Sequence, residues 1–100
     1  VADLDKNALR DLADSLKGKL GSGVVVLGAV GDGRVQVVVS VTPDLTSRVH
    51  AGKLVKLVSP IVGGGGGGRP DFAEAGGKIP EKLDELMAAA RKAIADLLEG

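Results

Sequence analysis

Few side chains in this sequence can carry chemistry. His50 is the single histidine and cysteine is absent, which excludes disulfides, thiolate metal sites and a cysteine nucleophile. His50 stands at the entry to a helical pattern, close to Arg48 and Lys53. As a general base it would need a nucleophile at a fitting spacing, and no such spacing is present. A polar helix-entry role, or contact with RNA, is the better reading. Asp32 lies between two glycines, where a carboxylate serves a turn rather than acid–base work. Asp14 and Ser15 fall on the outer side of a helix. No catalytic residue, metal ligand or cofactor is therefore expected in this chain.

What the chain offers instead is bare backbone. Six consecutive glycines, Gly63 to Gly68, run into Arg69-Pro70, and a second pair follows at Gly76-Gly77. Fixing a residue costs roughly 1–2 kcal/mol, so ordering six glycines costs on the order of 6–12 kcal/mol. Either the stretch is never ordered or something requires a surface without side chains. The run satisfies G-x-G-x-x-G trivially, but a dinucleotide fold needs a strand before it, and here a helical pattern precedes. A nucleotide-hydrolase loop would end in Gly-Lys-Ser or Gly-Lys-Thr, and this one ends in Gly-Arg-Pro. A flexible linker would interrupt a unit too small to divide. A row of N–H donors open to a large polyanion remains.

Charge is segregated although the formal net charge is zero. Residues 1–14 carry a balance of −2, residues 15–70 of +5 and residues 71–100 of −3, and no acid lies between Leu45 and Pro70. Such a field suits phosphates. Phe72 is the only aromatic residue, so stacking platforms for single-stranded bases are missing. An RNA partner would be read by shape and phosphate, and neither DNA nor a membrane is expected. The candidate RNA-binding set is Arg48, His50, Lys53, Lys56, Gly63, Gly64, Gly65, Gly66, Gly67, Gly68, Arg69, Gly76, Gly77 and Lys78.

One hundred residues support one small domain, expected over 1–100 as a fragment of a longer chain whose Val1-Ala2 reads as a strand end. With 44% apolar residues and a mean hydropathy of +0.20, the chain should fold. It shows no targeting pattern and no apolar run near 18 residues, which reads as soluble and cytoplasmic. Asp5 is the expected N-cap of a first helix with Leu9, Leu12, Ala13, Leu16 and Leu20 on one stripe and stops at Gly18 or Gly21. Two β-branched runs, 23–30 and 35–41, flank Gly31-Asp32-Gly33-Arg34 and predict a hairpin. Their near-continuous apolar character predicts helices on both faces. Ala51, Leu54, Val55, Val58, Ile61 and Val62 predict a second helix that Pro60 ends near Ser59. Beyond the glycines, Pro70 predicts a short helical turn over Asp71 to Ala75. A long final helix starts near Pro80 and carries Leu83, Leu86, Met87, Ala90, Ile94, Leu97 and Leu98. The expected fold is α/β: a mixed β-sheet with a central hairpin, helices packed on it, a Gly-rich loop, a short helical turn and a long C-terminal helix. Leu83, Leu86, Ala90, Ile94 and Leu97 form core by default and offer a dimer contact as the second reading.

Several stretches together resemble a known family. They are Gly63 to Gly68, Arg69-Pro70-Asp71, Ala73-Glu74-Ala75-Gly76-Gly77 and Val49-His50-Ala51-Gly52-Lys53-Leu54-Val55. Leu9-Arg10-Asp11-Leu12-Ala13-Asp14-Ser15-Leu16 followed by Gly23-Val24-Val25-Val26-Leu27-Gly28 joins them. This combination, across essentially the whole chain, resembles the DHHA1-type C-terminal domain of alanyl-tRNA synthetases. The resemblance implies a non-catalytic domain that contacts the outer corner of tRNA(Ala), where the D and T loops meet. It also implies a bridge to the aminoacylation and editing domains of the same enzyme and, in several members, a homodimer. It places the ATP/Mg chemistry and the zinc-dependent editing of the parent enzyme in other domains. Glu74 departs from the family, which usually has glutamine there. A DHHA1 domain also binds substrate in DHH phosphoesterases, where a Gly-Gly-Gly-His pattern occurs; Arg69-Pro70 stands in that region here. That role, or a pure interaction module, is the alternative.

Overall fold

A computed structural model describes residues 6–31 and 33–99. Val1, Ala2, Asp5 and Asp32 lie outside the described residues, and so do the readings placed on them. The first helix, α1, spans Lys6–Leu20 and ends before Gly21, whose φ of 73° suits a residue without Cβ. Gly18 does not stop it. Leu9 and Ala13 are buried and Leu16 is partly buried, whereas Leu12 at the margin of the stripe is exposed.

The hairpin forms as its β-branched runs require. Strands β1 (Val24–Gly31) and β2 (Arg34–Val41) pair antiparallel with Val30 opposite Val35, and Gly33 takes φ 72° in the turn. Side chains alternate between two cores. Val25, Ala29 and Val38 meet Leu9 and Ala13 of α1 on one face. Val35, Val37, Val39 and Val41 meet the other helices on the opposite face. At the open end of the hairpin, Thr42 exchanges two hydrogen bonds with Gly23, and Ser22 donates to the Asp44 carboxylate.

Helix α2 spans Ala51–Val58 and tightens into a 3-10 turn over Ser59–Val62 that contains Pro60. Ala51, Leu54, Val55, Val58 and Val62 are buried against the sheet. The last helix, α3 (Leu83–Glu99), follows a 3-10 turn over Pro80–Lys82, with Asp84 and Glu85 in its first turn where the helix dipole favours acids. Leu86 and Ala90 are fully buried in the domain's own core, so these two side chains are unavailable to a dimer partner. Leu83 and Ile94 pack against the same core, and Leu97 is exposed.

Two local expectations are overturned between α2 and α3. The glycine run is only partly a loop: Gly63 and Gly64 lead out of the 3-10 turn, and Gly65–Gly68 is strand β3. Asp71 to Ala75 is not a helical turn: Phe72–Gly77 is strand β4, and Arg69 to Phe72 closes a tight reversal in which the Arg69 N–H donates to the Phe72 carbonyl at 2.8 Å. Pro70 presets φ near −65°, which suits the second position of a turn as well as the first turn of a helix. β4 pairs antiparallel with β2 and with β3, giving a four-stranded sheet of order β1-β2-β4-β3 among the described residues.

Alternate glycines of the run, Gly64, Gly66 and Gly68, lie too close to β4 for anything larger, whereas Gly65 faces open space. A Cβ at Gly64 or Gly66 would overlap the carbonyls of Gly76 and Glu74 respectively, and one at Gly68 would lie 2.5 Å from the Phe72 carbonyl oxygen. The packing of backbone against backbone is thus what orders the stretch.

Candidate nucleic-acid interface

On the α1 face of the sheet, α1 covers β1 and β2 and reaches β4 at Phe72 and Glu74, leaving the rest of β4 and β3 open. The open half is a shelf with a backbone floor. Its centre is a shallow cavity of about 330 Å3 lined by Gln36, Val38, Gly65, Gly67, Glu74 and Gly76. Arg34 and Lys78 stand at one end with Gly63, Gly64 and Gly77. Arg10 and Arg69 stand at the other with Gly68 and Phe72. Lys56, from α2, passes over the strand: its Cε lies 3.4 Å from where a Gly67 Cβ would sit. Along the glycines of β3 and at Gly76 and Gly77 a large ligand can approach bare backbone, and cations of both ends can reach its charges.

The charges on the shelf are partly paired. Glu74 meets Arg10 at 3.1 Å, so its charge is countered beside the floor. The Arg10 guanidinium also lies 5.2 Å from the centre of the Phe72 ring, within cation–π range. Arg69 is 73% exposed and only loosely held by Asp71 at 3.6 Å.

Of the expected RNA-binding residues, the structure brings Lys56, Gly63, Gly64, Gly65, Gly67, Gly68, Arg69, Gly76, Gly77 and Lys78 to this shelf or its edge. Gly66 lies in the same strand. Arg48, His50 and Lys53 are elsewhere, around a groove between α2 and α3. Two of them already have structural work. The Arg48 Nη1 donates to the Leu98 carbonyl at the end of α3, at 2.9 Å. His50 is the N-cap of α2, with Nδ1 accepting the Lys53 N–H at 3.2 Å. The Ala51 and Gly52 N–H groups donate to the carbonyls of Pro70 and Arg69, so the first donors of α2 are occupied from within the chain.

Arg10, Arg34, Gln36 and Phe72 on the shelf had no local signal in the sequence. Strand order supplies them: β2 lies beside β4 with Gln36 opposite Gly76 and Val35 opposite Gly77. The Gln36 Oε1 is buried and accepts no hydrogen bond among the described residues. Those residues contain no group of three or more histidine, cysteine, aspartate or glutamate side chains able to hold a metal. No helix among them is long and apolar enough to cross a membrane.

The fold and its sequence have close relatives. The chain is 53% identical over 95 residues to an alanine–tRNA ligase of Bacillus pumilus, a match covering 94% of this chain and 11% of that protein. It is 50% identical over 96 residues to the alanine–tRNA ligase of Pelotomaculum thermopropionicum, covering 95% of this chain and again 11% of the relative. The chain thus spans about a tenth of the length of these ligases. Among solved structures, the crystal structure of the C-Ala domain from Aquifex aeolicus alanyl-tRNA synthetase superposes with a TM-score of 0.87 at 29% identity, covering 93% of this chain and 84% of that one. A DHH-domain protein described as a member of the s1p family of ribosomal proteins shares the fold, with a TM-score of 0.62 at 21% identity over 92% of this chain and 21% of its own. The model of the DHHA1 domain matches residues 1–96, and the chain belongs to the DHHA1 domain family.

Proposed function

We propose that this chain is the tRNA-binding C-terminal domain of an alanine–tRNA ligase, working in the cytoplasm on tRNA(Ala). The observation that carries the reading is the glycine-floored shelf with Arg34 and Lys78 at one end and Arg10 and Arg69 at the other. A floor made largely of glycine backbone admits the curved backbone of a folded RNA, and the flanking cations neutralise its phosphates. With one aromatic residue in the chain, recognition rests on shape, which fits the outer corner of a tRNA better than an unpaired strand. The domain would hold the tRNA while other domains of the enzyme perform alanine activation with ATP/Mg and zinc-dependent editing. The strong likeness to alanine–tRNA ligase sequences and to a C-Ala domain supports this division of labour.

Titration of whole tRNA at two salt concentrations tests the reading. Binding should weaken steeply with salt, because each phosphate contact releases counterions. Arg34→Ala and Lys78→Ala should each lower affinity and reduce the salt slope by about 1 unit. Binding that ignores salt, or that is equal for an unstructured RNA of the same length, would sink the proposal.

A further inference from the structure

On the opposite side of the molecule from the shelf, α2 and α3 leave a groove between them of about 500 Å3. Two of the three large apolar side chains exposed among the described residues sit in it: Leu57, 65% exposed, and Leu97, 43% exposed. Leu54 is buried beneath them. The polar lining is Thr46, Ser47, Arg48, His50 and Lys53, with no acid.

We infer that this groove docks an amphipathic helix of a protein partner, one that presents leucine-type anchors flanked by glutamate or aspartate. Charge complementarity selects the flanks, because the cationic rim has no acidic member to balance it. The leucines argue against a polyanion: exposed aliphatic anchors gain nothing from phosphates, and the one aromatic ring in the groove, His50, is held as the N-cap of α2. The geometry selects a helix. The floor is two packed helices, and a third laid across them buries its own apolar stripe. No strand edge opens here, since the rim of β3 is met by α2: the Gly68 carbonyl is 2.6 Å from where a Gly52 Cβ would be. A second copy of this chain is a poor occupant. The α1 face around Leu12 carries Arg10 and Lys17 as well as Asp11 and Asp14 and is not acidic, while α3 offers only one exposed leucine, Leu97, beside Asp96 and already lines the groove itself; the oligomeric state below separates a second copy from a partner helix. The inference stands independently of the RNA reading, because the two surfaces share no lining residue.

The test uses the 100-residue chain and a synthetic helical peptide of about 18 residues with leucines at i, i+4 and i+7 flanked by glutamates. Calorimetric titration should give saturable binding that Leu57→Asp weakens about tenfold or more and Lys53→Glu several-fold. Leu57 is mostly solvent-exposed, so unfolding midpoints should stay unchanged; Leu57→Gln, which adds no charge, should show the same loss in weaker form. tRNA affinity should be unaffected by either Leu57 variant. Four outcomes overturn the inference: no binding to the wild-type chain, equal binding of a peptide with lysine in place of glutamate, a self-associated chain that Leu57→Asp renders monomeric, or a fall in tRNA affinity with Leu57→Asp.

Discussion

Replacing single glycines of β3 by alanine should give results of opposite sign at adjacent positions. At Gly66 the added methyl would overlap the Glu74 carbonyl and lie 2.6 Å from the Ala75 Cα and 2.8 Å from its Cβ. These atoms belong to β4, which is itself clamped between β2 and β3, so no side-chain rotation relieves the contact. Reaching an ordinary 3.4 Å separation from that Cα requires β3 to lift by about 0.8 Å, enough to break ladder hydrogen bonds near 2.9 Å. Overpacking of this kind costs about 1–3 kcal/mol. At Gly65 nothing lies within 4 Å of the added atom, and φ is not in the left-handed region. Alanine there restricts the unfolded chain and should stabilise by about 0.4–1 kcal/mol. Urea unfolding of the two variants should therefore separate them by about 1.4–4 kcal/mol, and each kcal/mol corresponds to roughly 4–8 °C in Tm for a domain of this size. Changes of the same sign and size at both positions, as an unfolded linker would give, would refute backbone contact with β4 as the reason Gly66 is glycine.

Two further outcomes follow from the packing and the charges. Leu86→Ala, at a fully buried site of α3, should cost about 2–5 kcal/mol in the same unfolding assay, whereas Leu97→Ala should stay within about 0.5 kcal/mol. Equal costs would mean that α3 packs on the sheet through a different face. Asp44 is held below its ordinary value of 3.8 chiefly by the Ser22 hydroxyl and then by Thr42. A lowered carboxylate stabilises the fold above the ordinary value and loses that contribution as pH falls below it. The Tm difference between wild type and Ser22→Ala should accordingly be present at neutral pH and shrink in strong acid; a difference that grew in acid would contradict the assigned hydrogen bond.

The hairpin and both long helical stripes could be read from the chain because each is a local pattern. Val24 to Val41 is two β-branched runs around a Gly-Asp-Gly turn, Pro60 tightens the end of α2, and Leu86 and Ala90 recur at helical spacing. Strands β3 and β4 were hidden for two physical reasons. Glycine has no side chain to show an alternating pattern, and Pro70 fits a helix start and a tight turn equally. The shelf was half legible. The run from Gly63 to Arg69 and nearby Lys78 are close in sequence, but Arg10 and Arg34 reach them only through the antiparallel placement of β2 beside β4 and of α1 over the hairpin. The basic residues nearest the glycines in the upstream helix divide between surfaces: Lys56 leans over β3, while Lys53 lines the α2–α3 groove.

A strand of identical residues cannot encode its own alignment. Shift Gly65–Gly68 by one position and the same atoms face β4, so nothing inside the strand distinguishes one register from the next. The information sits at its ends. The Val62 carbonyl accepts both the Lys78 and Ile79 N–H groups at 2.8 and 3.0 Å, and the Arg69 N–H closes on Phe72. The Arg69 and Pro70 carbonyls are then pinned by the first amides of α2. Between those two fastenings the number of glycines must match the span, so the length of the run, rather than any side chain in it, is the quantity the fold reads.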